Sequence, residues 1–194
     1  GSTVKEVLLE ASTNPNPIPD SEHDGQFHKH CGWSTPAPRL EAADGLISLA
    51  FERTCPTPEV LSAIERLSQD PVPSVRYQIA RRLNHLYNSA PSLMWRIIER
   101  LSCEENDRGV LQGLLIGPFT RLAGPHLDET IELISTIFDR VQDGSGAKEV
   151  RELCIHYFTD LYVWQGHPAC RDRVLSTVMS PAKNSTDVHS MLSR

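Results

Sequence analysis

From residue 39 onward the apolar positions recur at helical spacing. Leu40, Ala43, Leu46, Ile47 and Ala50 form one set, and Val60, Leu61, Ile64 and Leu67 the next. Val75, Ile79, Leu83 and Leu86 step by four, four and three, which puts them on one stripe of a helix over Ser74–Asn88. Further stripes run from Leu93 to Leu101, Val110 to Leu122, Leu127 to Val141, Val150 to Trp164 and Val174 to Val178, and a last helix is expected near Ser185. No stripe can be buried by its own helix, so the pattern predicts helices stacked side by side.

The junctions are marked by residues that stop helices. Cys55-Pro56, Asp70-Pro71, Ala90-Pro91, Gly124-Pro125, Gly144-Ser145-Gly146 and Gly166-His167-Pro168 separate the stripes. Gly117-Pro118 falls inside one stripe and predicts a kink, because proline removes an amide donor and crowds the preceding turn. The first 38 residues read differently. Thr3–Glu10 fits a short helix or strand, and prolines 15, 17 and 19 exclude regular structure after it. Residues 1–38 are thus expected to be a Pro-rich arm, partly irregular, with Phe27 and Trp33 as apolar anchors, and 39–194 a helical array.

Composition narrows the function classes. A net charge of −6 across 194 residues disfavours a grip on nucleic acid that uses the whole surface. Five scattered cysteines without a Cys-x-x-Cys pair predict reduced thiols, hence a cytoplasmic protein. No apolar run reaches the length of a membrane span. The Gly1-Ser2 start lacks Met, and the last residues stop inside a helical pattern, so the sequence reads as a piece of a longer protein.

The Asp70-Pro71…Val75-Arg76 segment resembles the start of the second helix of a HEAT repeat. Arg108 and Arg151 begin later second helices, 32 and 43 residues further on, a spacing nearer to degenerate repeats of about 40 residues than to strict 34-residue ones. The region from about Glu41 to Arg194 therefore resembles a HEAT or armadillo-like array. That resemblance implies an all-α, right-handed α-solenoid of helix pairs, and a structural ladder of Asp70, Arg76, Arg108 and Arg151 between repeats. Asp70 would pair with Arg76, one of Glu104, Glu105 and Asp107 with Arg108, and Asp143 with Arg151. Residues 14–46 also resemble stretches of very large bacterial signal-transduction ATPases that join a nucleotide-driven switch to helical repeats. No Gly-x-x-x-x-Gly-Lys-Ser/Thr loop occurs in the chain itself.

Candidate chemistry is sparse. Arg81, Arg82 and His85, with Gln78, share one helix with Arg76, and Arg96 and Arg100 lie on the next. Together they suggest a basic strip for an acidic partner or nucleic acid, or simply a solvated helix face. His23, His28, His30 and Cys31 are potential zinc ligands on one loop, but in no established finger spacing. Cys154 and His156 project about 200° apart on a helix and cannot form a dyad. Cys154 itself falls on the apolar stripe, and His167 near Cys170 sits at a helix junction. Glu104-Glu105 fits a turn or cap, and Tyr77, Tyr87 and Trp95 fit packing or an interface. The expectation is a non-enzymatic repeat fragment without cofactor or catalytic set. It would recognise a protein partner or other domains of its parent chain, a nucleic-acid-binding module being the alternative.

Overall fold

The computed structural model describes residues 3–31, 35–51 and 56–179. Among them the regular structure is entirely helical, with no strand. Trp33, Cys55 and the helix expected near Ser185 lie outside the described residues. Helix α1 (Val4–Ala11) opens with a capping box: Thr3 Oγ1 accepts from the Glu6 amide, and Glu6 Oε2 accepts from the Thr3 amide at 2.8 Å. This reciprocal cap makes the segment a helix where apolar content alone left strand open.

A short helix α2 (Ser21–Asp24) follows, then α3 (Pro38–Leu49), α4 (Pro58–Leu67), α5 (Pro73–Ala80) and α6 (Pro91–Glu104). The last four each begin on proline, which gives up an amide that a first turn cannot use. Helix α7 (Arg108–Leu114) runs through a π turn (Leu115–Phe119) into the short α8 (Thr120–Leu122). The interruption at Gly117-Pro118 thus takes the form of a wider turn within one helical run, and the Tyr157 hydroxyl donates to its Leu115 carbonyl at 2.7 Å. Helices α9 (Leu127–Arg140), α10 (Ala147–Gln165) and α11 (Pro168–Val178) complete the order.

The expected Ser74–Asn88 helix is shorter than its stripe. It ends at Ala80 and resumes as a 3-10 turn, Leu83–Leu86. Three residues per turn keep Leu83 and Leu86 on the side of Val75 and Ile79, so all four stay fully buried.

Packing follows a simple rule. Helix α1 pairs with α3, α4 with α5, α6 with α7, and α9 with α10. The first members touch in the order α1, α4, α6, α9, and the second members in the order α3, α5, α7, α10, giving two rows over one apolar core. Helix α11 packs on α10.

In the first row an arginine of each helix reaches the C-terminal turn of the helix before it. Arg66 donates to Ser12 O (3.0 Å) and Ser12 Oγ, Arg100 to Ser68 O (3.1 Å) and Ser68 Oγ, and Arg140 to Ser102 O (3.2 Å). Carbonyls that a helix end leaves without intrahelical partners thereby receive a cation, which the helix dipole also favours.

The second row is closest where α7 lacks side chains. A Cβ at Gly109 would lie 2.7 Å from the Phe27 ring, one at Gly113 2.7 Å from Tyr77, and one at Gly117 2.2 Å from the Arg81 carbonyl oxygen. Side chains can rotate away, but the Arg81 backbone cannot. Gly117→Ala should therefore cost at least about 2 kcal/mol in urea unfolding, whereas Gly124→Ala, with open space around it, should stay within about 0.5 kcal/mol. Equal midpoints for the two variants would refute this reading of the contact.

Candidate functional site

Asp70, Arg76 and Arg151 of the expected ladder are bonded at turns, in a different register from the one read off the sequence. Asp70 pairs with Arg39, whose Nε lies 2.7 Å from Asp70 Oδ2 with both side chains buried. Arg39 also donates to Asn14 O and Pro17 O, so one guanidinium joins the arm, α3 and the α4–α5 turn. Arg76 reaches only the Asp70 backbone, donating to Asp70 O (2.7 Å) and Pro71 O (3.1 Å). Its fork is bidentate to Glu105 of the next pair, at 2.7 and 2.9 Å. Each of these arginines thus binds carbonyls of its own unit and a carboxylate of the following one.

Arg151 repeats the carbonyl half of the device, donating to Phe138 O and Val141 O with its guanidinium 3.9 Å over the Phe138 ring. Arg108 departs from it. Glu105 is taken by Arg76, and Asp107 caps α7 by accepting from the Val110 amide at 3.0 Å. The α6–α7 turn instead receives Arg140, which donates to Glu105 O at 2.6 Å. Arg108 lines a cavity of about 480 Å³ with Arg76, His28, Asp24, Asp107 and Ser145.

The proposed basic strip is divided between the rows. Arg81 and Arg82 converge on one carboxylate, Asp44 Oδ1, at 2.7 and 3.0 Å, and Arg82 also donates to Ser48 Oγ. Buried Gln78 accepts from Arg81 Nε. These residues tie α5 to α3. Arg96 belongs to the first row, where it meets Glu65 at 2.8 Å and ties α6 to α4. Most of the strip's charge is spent on neighbouring helices, leaving Arg81 and Arg82 only about one-third exposed. His85 faces the Phe51 ring at 5.0 Å. Burial pushes its imidazole below the ordinary range, with Arg82 and Arg81 adding and the Ile47 backbone and Asp44 opposing.

Residues 20–31 lie across the second row. Asp20 caps α2 by accepting from the Glu22 and His23 amides. Phe27 opens a 3-10 turn (Phe27–Lys29) and is buried against Tyr77, edge to face at 5.5 Å, and against Gly109. His28 Nε2 meets Ser145 Oγ at 2.7 Å, and Cys31 Sγ lies 3.7 Å from Gln112 Oε1. The four residues weighed as zinc ligands therefore diverge. His28 and Cys31 contact the helices, while His23 and His30 border a cavity of about 620 Å³ beside Phe27. Among the described residues no three His, Cys, Asp or Glu side chains come together as a set able to hold a metal ion.

Nucleophile chemistry gains nothing from the geometry. Cys154 is fully buried in the core, and burial holds the Cys170 thiol up at about 11, opposite to the thiolate activation a nucleophile needs. His167 Nε2 meets Asp128 at 2.9 Å. Tyr87 and Trp95 pack against His126.

Neither Arg39 and Asp44 nor the carbonyl ties of Arg66, Arg100 and Arg140 were anticipated from the sequence, which offered Arg100 only for the basic strip. A signal for two of them exists: Ile64-Glu65-Arg66-Leu67-Ser68 recurs as Ile98-Glu99-Arg100-Leu101-Ser102, 34 residues later, with a weaker echo at Asp139-Arg140-Val141.

Comparison of the chain with models of known families, with curated proteins and with solved structures gave no match.

Two measurements probe these sites. Asp70→Ala leaves the buried Arg39 charge without its carboxylate and should cost roughly 3–5 kcal/mol, while Arg39→Met added to it should cost little more. Full additivity of the two losses would show that the pair does not act as a unit. His85 holds its proton less tightly folded than unfolded. Its contribution to stability is present above the unfolded value of about 6.5 and is lost as pH falls through the lower folded value. The urea midpoint should drop between pH 7.5 and 5.5, less steeply in His85→Gln; an unchanged slope would contradict this.

Proposed function

We propose that this chain is a HEAT-like helical-repeat module, an α-solenoid fragment without catalytic activity that recognises a protein partner or other domains of its parent. The observation that carries the reading is the recurring guanidinium tie from one helix pair to the next, Arg39 to Asp70 and Arg76 to Glu105, echoed by Arg66, Arg100 and Arg140 along the first row. A stack joined unit to unit is a rigid, extended surface, which suits recognition better than it suits a closed active site.

In the narrower form of the proposal, this is a sensor array behind a nucleotide-driven switch in a bacterial signal-transduction ATPase. The likeness of residues 14–46 to such linkers supports that form, and a phosphate-binding loop in the flanking sequence would be its signature. Cys31, Cys103 and Cys170 are free thiols, in keeping with a reducing cytoplasm. No described helix is long and apolar enough to cross a membrane.

Nucleic-acid binding through the arginine face is the second reading. It is less favoured because Asp44 takes both Arg81 and Arg82 and Glu65 takes Arg96. Fluorescence anisotropy with labelled duplex and single-stranded DNA and RNA at low salt decides between the two. We expect no binding tighter than about 10⁻⁴ M. Salt-sensitive binding that weakens in Arg81→Gln/Arg82→Gln would overturn the protein-recognition reading.

A further inference from the structure

We infer that the second-row face carries a seat for a single aromatic side chain of a partner peptide, and that Phe27 fills this seat from within the same chain. The inference deepens the protein-recognition reading and rests on it.

The seat is built by α5 and α7. Gly109 leaves room for a ring that a Cβ would displace, and the Tyr77 ring meets the occupant in a T-shaped pair. Gln112 flanks it, donating to the His28 carbonyl at 3.5 Å and facing the Cys31 thiol. The seat lies on helices of the core, whereas its occupant comes from a segment outside those helices. Between Asp20 and Cys31 only Phe27 is buried, and the local structure is a four-residue helix capped by Asp20 and one 3-10 turn.

The root is fixed, since Arg39 holds Asn14 O and Pro17 O and is itself paired with Asp70. Beyond Ile18, which is exposed, the head is held by Phe27, by the His28–Ser145 bond, by Gln112 on the His28 carbonyl and by the Cys31 contact. A cavity of about 620 Å³ remains against Phe27 itself, bordered by His23, Gln26 and His30, so the strap leaves open space at its own anchor. Four contacts thus hold the segment on a fixed root, and what it covers accepts one ring flanked by polar groups. The partner this fits is a short peptide with one aromatic anchor and hydrogen-bonding neighbours.

The test uses the full chain and a labelled peptide of residues 20–31. Phe27→Ala should bind the peptide at least about tenfold tighter than wild type, and His28→Ala should fall between them. The same peptide with alanine in place of its phenylalanine should not bind. Equal binding to wild type and Phe27→Ala overturns the proposal, as does no binding to a Phe27→Ala chain of unchanged circular dichroism. Should Phe27→Ala fail to fold, hydrogen exchange of wild type decides: amides of 27–30 should exchange at least about 100-fold faster than those of α7. Exchange of both only through global unfolding overturns the proposal. Nucleic-acid binding in the preceding experiment would remove the protein-recognition reading without altering either readout here.

Discussion

The interaction on which the rest of this structure depends is a guanidinium shared between the turn of one helix pair and the carboxylate of the next. Arg76 does both at once, binding Asp70 O and Pro71 O in its own turn and gripping Glu105 with its fork. Arginine suits the task because its planar group offers five donors in fixed directions. The first row solves the same problem with serine turns and Arg66, Arg100 and Arg140. A helix end buried against a neighbour would otherwise strand carbonyls, at about 1–3 kcal/mol for each unsatisfied group.

This constraint sets what the arm can do. Arg39 spends its donors on Asn14 O, Pro17 O and Asp70, so the proline-rich segment is pinned at its root to the α4–α5 turn. From there residues 20–31 reach α7, whose glycines admit Phe27 and bring its backbone against Arg81. The same glycines that let the second row pack closely thus also make the seat. Arg81, Arg82 and Arg96 each pair with a carboxylate of a neighbouring helix, and further polar groups line residues 20–31 and the turns beside them.

The sequence revealed the helices well because their stripes are long and their starts are marked by proline. It also placed Asp70 in a turn and Arg76 and Arg151 near the start of helices. It did not disclose the register of the ladder, because an arginine side chain spans the distance to either its own turn or the next, and spacing cannot choose between them. Arg39 escaped notice because its partners lie at Asn14, Pro17 and Asp70, too distant in sequence for any local pattern. The repeated Ile-Glu-Arg-Leu-Ser segment was readable and marks the first-row ties directly. The early end of α5 was not readable, since the apolar stripe continues unbroken through a 3-10 turn that preserves its facing.

The account stands most directly on coupling between adjacent units, and a double-mutant cycle on Arg76 and Glu105 measures it. With Arg76→Met, Glu105→Gln and the double variant compared by urea unfolding, the account predicts a coupling of at least about 1.5 kcal/mol. Additivity to within about 0.3 kcal/mol would contradict it, because the rung would then contribute nothing to holding one helix pair on the next.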